Sequence, residues 1–208
     1  MIVAVDGPAA SGKGTIARAL ARHFGLPHLD TGLLYRAVAL NVLRLELDPS
    51  READAVAASG FDEHLLADPA LRDDAMGKLA SVVSAHPLVR SALMQRQRRF
   101  AHQPGGAVLD GRDIGTVIVP DANAKLFVKA TAPVRAQRRH AELLARSDTP
   151  GYDKVLADIR ARDTRDAARA TAPLAIAADA AILDTTALSI DAAVSRAVAL
   201  VAMRVRRR

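Results

Sequence analysis

Short strand-like runs alternate with longer amphipathic segments along most of this chain. These runs occupy residues 2–5, 28–30, 107–110, 124–129 and 181–183. Short apolar runs bounded by turn residues are typical of strands that are buried on both faces of a parallel sheet. Because the runs alternate with helical segments, the pattern predicts an α/β fold, with a parallel sheet covered on both faces and right-handed crossovers.

Helical spacing of apolar residues separates these runs. After the first run, Ile16, Ala17 and Leu20 fall on one helix face, and Gly25 followed by Pro27 ends that helix. The same criteria predict helices over 13–23, from Thr31 as N-cap to about residue 48, and over 88–101, 132–145, 153–169 and 190–205.

Residues 49–86 differ from the rest of the chain. They are acidic and rich in alanine, and Gly60, Pro69 and Gly77 interrupt them. This composition predicts short helices rather than strands. We interpret the segment as an insert rather than as part of the core.

The composition excludes several classes of protein. The 208 residues contain no cysteine, so disulfides, thiolate metal sites and cysteine nucleophiles are excluded. The N-terminal apolar run is too short for a signal peptide, and no run reaches the roughly 18 apolar residues of a membrane span. We therefore expect a cytoplasmic protein with no membrane partner.

The net charge of +6 is concentrated at the C-terminus. Four arginines lie within the last five residues, which leaves about +2 for the rest of the chain. The four Phe and two Tyr residues are scattered, so no stacking platform for single strands is evident. We interpret the tail as a solvated helix end that suits the helix dipole, with nucleic-acid contact as the alternative. We expect a monomer without a nucleic-acid partner.

A glycine-rich loop follows the first strand and opens the first helix. It consists of Gly7, Pro8, Ala9, Ala10, Ser11, Gly12, Lys13, Gly14 and Thr15. In this context, successive backbone N–H groups point at an anion at the positive end of the helix dipole, and Lys13 supplies a mobile cation. We predict that the loop binds the phosphates of ATP. The hydroxyl of Thr15 stands one place later than in the strict nucleotide-binding pattern, as in nucleoside monophosphate kinases.

Carboxylates at strand ends near this loop are candidates for Mg²⁺, which ATP requires. Asp110 ends the third strand, and Asp6 beside the loop is a second candidate. We predict a magnesium site formed by Thr15 and Asp110. The alternative for Asp110 is a structural cap of the following turn.

Arginines are concentrated at positions where a second phosphate group could be held. Arg36 follows the second strand, Arg112 follows the third, and Arg162, Arg165 and Arg169 fall on one face of the predicted 153–169 helix. Phosphoryl transfer depends on neutralising charge, and guanidinium groups clamp phosphate oxygens well. We predict Lys13, Arg112, Arg162 and Arg165 as catalytic residues and the arginine helix as a lid. The alternative is that this helix is merely solvated.

Several stretches together resemble bacterial cytidylate kinase. They are Asp6-Gly7-Pro8 through Gly14-Thr15, Leu29-Asp30-Thr31-Gly32 with Tyr35-Arg36, Asp110-Gly111-Arg112-Asp113-Ile114-Gly115-Thr116, and Arg162-Asp163-Thr164-Arg165-Asp166 with Arg169. The resemblance implies a single P-loop kinase unit over residues 1–208 with a five-stranded parallel sheet. Its core would span about 1–48, 87–145 and 170–208, with a monophosphate-binding insert at 49–86 and a lid at 146–169. The insert is shorter and more helical than in many family members.

The resemblance also implies roles on the acceptor side. Arg36, Arg112 and Arg162 would bind the acceptor phosphate, Ser81, Arg90 and Asp113 the cytosine, and Asp166 with Arg169 the sugar. Thr31 and Tyr35 belong to the same substrate-binding set. For Ser81 a helix-surface serine is the alternative, and for Arg90 a solvated residue.

The function expected from these features is transfer of the ATP γ-phosphoryl group to CMP or dCMP. A second possibility is another small-acceptor kinase of this loop class, adenylate-like or shikimate-like. A third is a basic nucleic-acid-binding ATPase.

Overall fold

A single parallel sheet of five strands forms the centre of the molecule. In a computed structural model, which describes residues 1–146 and 149–206, the strand order is β2-β3-β1-β4-β5. The strands are β1 (Ile2–Asp6), β2 (His28–Asp30), β3 (Ala107–Gly111), β4 (Ala124–Lys129) and β5 (Ala181–Asp184). All four pairings are parallel. The predicted α/β fold with a five-stranded parallel sheet is confirmed.

Eight α-helices and three shorter helical turns surround the sheet within the described residues. The helices are α1 (Lys13–Phe24), α2 (Thr31–Arg44), α3 (Glu52–Ala57), α4 (Asp74–Val83), α5 (Pro87–Ala101), α6 (Ala132–Leu144), α7 (Tyr152–Ala167) and α8 (Ile190–Arg206). Two 3₁₀ turns span Glu63–Ala67 and Pro69–Arg72, and one π-helical turn spans Ile114–Ile118. The predicted lid and the basic tail include residues 147–148 and 207–208, which lie outside the described ranges.

The central strands are buried on both faces. Val3, Ala4 and Val5 of β1 are completely buried. On one face, Val3 and Val5 pack with Ile16 and Leu20 of α1 in an apolar cluster that also contains residues of α8. Ala4 joins a second cluster on the other face with α5 and the π-helical turn. This double coverage explains why the strand is a continuous apolar run rather than an alternating one.

The insert packs against α2 and is helical, as predicted. Its apolar residues join those of α2 and α5 in a third cluster, with Leu71 and Val83 almost fully buried. No strand lies between residues 49 and 86, all of which are described. The insert therefore presents α4 along one side of α2 and over the carboxyl ends of the strands.

Most helix boundaries lie within one residue of the predictions, and three differences change the role or the position of a predicted residue or the length of a helix. Asp30, not Thr31, caps α2, because its side chain accepts a hydrogen bond from the N–H of Gly32 at 2.9 Å. Thr31 is the first helical residue, and its hydroxyl donates to the carbonyl of Asp110 over 2.8 Å. Helix α2 ends at Arg44, before the predicted position. Helix α7 ends at Ala167, so Arg169 lies just beyond the helix rather than on it.

No helix in the described part of the chain is long and apolar enough to cross a membrane.

Candidate active site

The glycine-rich loop has the backbone conformation of an anion site. Gly12 has φ 89° and Ala10 has φ 57°, both in the left-handed region. A Cβ atom on Gly7 would lie 2.1 Å from the carbonyl oxygen of Val128, so only glycine fits there. Helix α1 begins at Lys13 without a side-chain cap. Its first N–H groups therefore have no capping side chain and face the cleft, where a phosphate group can accept their hydrogen bonds.

Lys13 lies in a strongly charged environment. Its Nζ atom approaches the carbonyl oxygen of Pro8 at 3.5 Å. Burial, and then the positive charge of Arg112, lowers the pKa of Lys13 to about 7, while Asp110 and Asp30 act in the opposite direction. Negative phosphate groups would offset both lowering effects. This electrostatic environment suits a lysine whose partner is a bound anion.

A cleft of about 740 Å³ opens beside the loop. Its volume is in the range of about 300–1,000 Å³ that is usual for small-molecule sites. The predicted residues that line it are Ala9, Ala10, Gly12, Lys13, Gly14, Thr15, Thr31, Tyr35, Arg36, Arg90, Asp110, Arg112, Asp113, Arg162, Arg165 and Arg169. Five predicted residues are not among those that line it: Gly7, Pro8, Ser11, Ser81 and Asp166. The fold thus brings most of the predicted donor and acceptor residues to one cavity.

Arg36 is held by backbone carbonyl groups rather than by a carboxylate. Its Nη1 atom donates to Leu71 at 2.7 Å and to Asp73 at 2.9 Å. The guanidinium lies over α4 at Gly77, where a Cβ atom would be 2.8 Å from Nη2. The absence of a side chain at Gly77 makes room for this arginine at the cleft wall.

Asp166 joins two of the other arginines. Its Oδ2 atom accepts from Nε of Arg112 at 2.8 Å, and its Oδ1 atom accepts from Nη2 of Arg169 at 2.6 Å. Burial acts to raise the pKa of Asp166, but Arg112 and Arg169 outweigh it and lower the pKa. The carboxylate therefore stays charged and fixes both guanidinium groups at the cleft.

Arg162 lacks a full set of partners. Its Nε atom is buried and has no hydrogen-bond partner among the described residues. Burial, followed by the charge of Arg112, lowers the pKa of Arg162 to about 9. Buried polar groups are nearly always hydrogen-bonded, so this donor is available to a ligand bound in the cleft that Arg162 lines.

The residues assigned to the base are buried. Arg90 is 4% exposed, forms an ion pair with Asp113 and lies over the ring of Tyr35 with its Cζ atom 5.5 Å from the ring centroid. Ser81 is 2% exposed, and Nε of Arg165 approaches its hydroxyl at 3.3 Å. The alternatives of a solvated Arg90 and a helix-surface Ser81 are therefore wrong.

Two carboxylates lie beside the loop at the ends of neighbouring strands. Asp110 shares a hydrogen bond of 2.7 Å with Nε2 of His28 through Oδ1, and its Oδ2 atom is 3.7 Å from where a Cβ of Gly14 would stand. Burial and the charge of Asp110 raise the pKa of Asp30. Such a like-charged pair favours a nearby cation. Asp6 instead accepts the N–H groups of Ile114 and Gly115, each at 2.8 Å, which argues against it as a magnesium ligand.

The sequence reasoning missed several residues of this region. Asp30 ends a strand next to Asp110, the same kind of position that made Asp110 a candidate. No sequence signal pointed to Arg135, which binds Asp163 of α7 through two hydrogen bonds of 2.9 and 2.6 Å and approaches the carbonyl oxygen of Ala9 at 3.3 Å. Lys78 of α4 likewise pairs with Asp158 of α7 at 2.7 Å. These ion pairs join α7 to the loop and to the insert.

Comparison with known proteins agrees with this geometry. A family model described as cytidylate kinase matches residues 3–203. A cytidylate kinase of Xanthobacter autotrophicus is 58% identical over 204 residues, which cover 98% of each chain. A cytidylate kinase of a Methylobacterium species is 61% identical over 181 residues, which cover 86% of each chain.

A solved structure of an uncharacterized protein from Eubacterium ventriosum has a TM-score of 0.54 at 13% identity. The comparison covers 100% of this chain and 99% of that one, and it supports the fold alone. The sequence relatives identify the family more narrowly. This chain belongs to the cytidylate kinase family.

Proposed function

We propose that the protein transfers the γ-phosphoryl group of ATP to CMP or dCMP, giving CDP or dCDP and ADP. The observation that carries this conclusion is that an uncapped helix N-terminus and the guanidinium groups of Arg36, Arg112 and Arg162 line one cavity. Two nucleotides that react through their phosphate groups need such a site. A neutral alcohol acceptor, as in a shikimate-like kinase, would supply no anionic partner for Arg36, which is held by backbone carbonyl groups, or for the unpartnered Nε of Arg162.

The donor phosphates would occupy the glycine-rich loop. Backbone N–H groups at the start of α1 would hold the β- and γ-phosphates, and Lys13 would neutralise charge on the transferred group. This assignment uses residues 7–15 as the ATP site. The Ser11 hydroxyl is buried without a hydrogen-bond partner among the described residues, and Ser11 does not line the cleft, so we expect its side chain to shape the turn rather than to touch ATP.

The acceptor phosphate would lie between the arginines on the other side of the cleft. We assign Arg36, Arg112 and Arg162 to this phosphate. Thr31, Tyr35, Ser81, Arg90 and Asp113 are assigned to the cytosine pocket, and Asp166 with Arg169 to the sugar. Since both oxygens of Asp166 already accept from arginines, its contribution also includes holding Arg112 and Arg169 in place.

Catalysis would rest on positioning and charge neutralisation. An oxygen of the acceptor phosphate attacks the γ-phosphorus, a new P–O bond forms there, and the bond to the bridging oxygen of ADP breaks. Negative charge spreads over the transferred group as this happens. We propose that Lys13, Arg112, Arg162 and Arg165, which all line the cleft, stabilise this charge, because preorganised cations in a site with little water act strongly on developing charge.

Magnesium would fit the acidic side of the loop. Thr15 offers a hydroxyl, and Asp110 offers a carboxylate whose repulsion with Asp30 a cation would relieve. Hard oxygen ligands of this kind suit Mg²⁺. When bound, the ion would neutralise charge on the donor phosphates. We add Asp30 to the proposed ligand environment, beside Thr15 and Asp110.

We propose that the chain works as a core with two smaller parts. The core would span about 1–48, 87–145 and 170–208, the monophosphate-binding insert 49–86 and the lid 146–169. The ion pair between Lys78 and Asp158, 2.7 Å long, joins residues of these two proposed parts and supports the proposal that they close over the cleft and exclude water. We further propose a cytoplasmic monomer that binds no nucleic acid.

An acceptor panel tests the function. ADP release would be measured with CMP, dCMP, UMP, AMP, GMP and shikimate at equal concentration, with and without EDTA. We expect the highest kcat/KM with CMP or dCMP, no turnover of shikimate and loss of activity with EDTA. Equal activity with AMP, UMP or GMP would contradict the acceptor assignment. Salt-sensitive binding to DNA that disappears when residues 204–208 are removed would support the nucleic-acid alternative instead.

A further inference from the structure

Asp6 is a buried carboxylate that the proposed chemistry does not use. It is the last residue of β1, directly before the glycine-rich loop, and it is 4% exposed. Its Oδ1 atom accepts from the N–H of Ile114 and its Oδ2 atom from the N–H of Gly115, each over 2.8 Å. These contacts join residues more than 100 positions apart in the chain. Asp6 therefore links the donor side of the cleft to the segment that carries Arg112 and Asp113.

The two N–H groups belong to the start of the π-helical turn. The first N–H groups of any helical turn have no partner within it, and a side chain of the preceding residue usually accepts from them. That preceding residue is Asp113, which makes no capping hydrogen bond. The Asp113 carboxylate instead forms an ion pair with Arg90. Asp6 thus supplies from a distant strand the cap that Asp113 would otherwise provide.

We propose that Asp6 is a positioning residue for base recognition: by capping the 114–118 turn, it leaves the Asp113 carboxylate free to pair with Arg90 in the acceptor pocket. The proposal rests on the proposed function, since Arg90 and Asp113 are assigned to the cytosine. Asp6 touches no substrate in this scheme. Its effect reaches the base only through Asp113.

The packing around the turn explains why this cap is tightly defined. A Cβ atom on Gly115 would lie 3.0 Å from Cδ of Lys125 and 3.3 Å from Oδ2 of Asp6. Gly115 therefore allows its N–H to approach the carboxylate closely. Without Asp6, two buried N–H groups would seek another acceptor, and the Asp113 carboxylate is the one next to them in the chain.

Asp6→Asn tests the proposal, because the amide keeps one acceptor oxygen and loses the other. The measured quantity is the kcat/KM for CMP divided by that for UMP. This ratio does not depend on the fraction of enzyme that is folded, so a purely structural role would leave it unchanged. We expect it to fall about 10-fold or more, the scale of a displaced hydrogen bond to a charged group, while the KM for ATP changes much less.

Two further variants make the result decisive. Asp113→Asn should lower the same ratio, and adding Asp6→Asn to it should cause little further loss, because both act through one carboxylate. Gly115→Ala perturbs the same contact from the other side and should act in the same direction as Asp6→Asn, even if Asp6→Asn fails to fold. Asp54→Asn is the matched control. The Asp54 carboxylate also accepts a hydrogen bond from a backbone N–H, that of Asp48, at 3.1 Å, but Asp54 does not line the cleft, so this variant should keep the parental ratio.

The outcomes separate this proposal from the proposed function. A parent enzyme without preference for CMP over UMP would defeat the functional proposal. A parent that prefers CMP, together with Asp6→Asn and Gly115→Ala variants that keep the full preference, would overturn the role of Asp6 alone. Losses that add in the Asp6→Asn, Asp113→Asn double variant would overturn it as well.

Discussion

Nε of Arg112 donates to Oδ2 of Asp166 over 2.8 Å, although the two residues are 54 positions apart. The contact joins the segment after β3 to the end of α7. Because Asp166 is 1% exposed and also holds Arg169, contacts within the protein fix the orientation of the Arg112 guanidinium. Such orientation is what allows a cation to stabilise a transition state without reorganising during the reaction.

Replacement of Arg112 by alanine should therefore slow catalysis strongly. We expect Arg112→Ala to lower kcat about 100-fold, the scale of losing one preorganised donor to a developing charge. Steady-state kinetics with CMP and ATP measure the change. Arg22→Ala, at an exposed arginine of α1, serves as the control and should behave like the parent. A kcat within a few-fold of the parent would remove Arg112 from the mechanism.

The lowered pKa of Lys13 predicts proton uptake when ATP binds. With a pKa of about 7 in the free protein, Lys13 is largely neutral at pH 8 and largely charged at pH 6. Bound phosphates favour the charged form and raise this pKa. We expect Lys13 to take up close to one proton at pH 8 and almost none at pH 6, measured as the difference between the parent and a variant without this lysine.

Calorimetry of ATP binding in buffers with different ionisation enthalpies measures this uptake. Lys13→Met removes the titrating group and should abolish the uptake at pH 8. If the binding enthalpy of the parent is the same in every buffer at that pH, Lys13 is already protonated in the free enzyme.

Gly77→Ala should weaken binding of the acceptor without lowering the stability of the fold. The new Cβ atom would lie 2.8 Å from Nη2 of Arg36, so the guanidinium has to move. Glycine within a helix is less stable than alanine by roughly 0.5–1 kcal/mol, and the displaced group is the end of a flexible side chain. We expect an unchanged or higher Tm, together with a KM for CMP that is raised about 10-fold.

Gly60→Ala provides the comparison for this variant. No atom lies within 4 Å of the position that its Cβ would take. Its KM for CMP should match that of the parent. A Gly77→Ala enzyme with parental KM would show that the position of Arg36 does not govern acceptor binding.

The ion pair between Lys78 and Asp158 should contribute little to the energetics of closure. The side chains are 49% and 46% exposed, so water and salt screen their interaction. Exposed pairs are worth about 0.2–1 kcal/mol. We expect Lys78→Ala and Asp158→Ala each to change the KM for CMP by less than about threefold. The interaction energy between the two residues, obtained from a double-mutant cycle, should vanish at high salt. A loss of kcat of more than about tenfold would show instead that this contact controls a catalytic step.

The loop and the sheet were predictable because their signals lie within a few neighbouring residues. Gly12 requires positive φ, and the apolar run before it forms a buried strand, so the strand–loop–helix unit is visible in residues 2–15 alone. The arginine positions were equally visible, and Arg36, Arg112 and Arg162 do line one cavity. The magnesium ligands and the individual substrate contacts remain predictions.

The sequence around the start of α2 gave a wrong prediction, because Asp and Thr can both serve as the N-cap of a helix. Thr31 was predicted as the cap of α2, yet Asp30 takes that role because the hydroxyl of Thr31 donates to the carbonyl of Asp110 on the neighbouring strand. The choice between them depends on the pairing of β2 with β3, which no window of neighbouring residues contains.

Periodicity and turn chemistry are encoded over short distances, and they were enough to specify an α/β fold, a phosphate-binding loop and a set of candidate arginines. The partners of the buried charges depend on which distant segments pack together. Asp6 meets Ile114, Asp166 meets Arg112, and Arg162 keeps an unpartnered donor only because the whole sheet and α7 close around the cleft. A buried charge is stable only with a partner, so tertiary packing decides which charges are paired and which face the nucleotides.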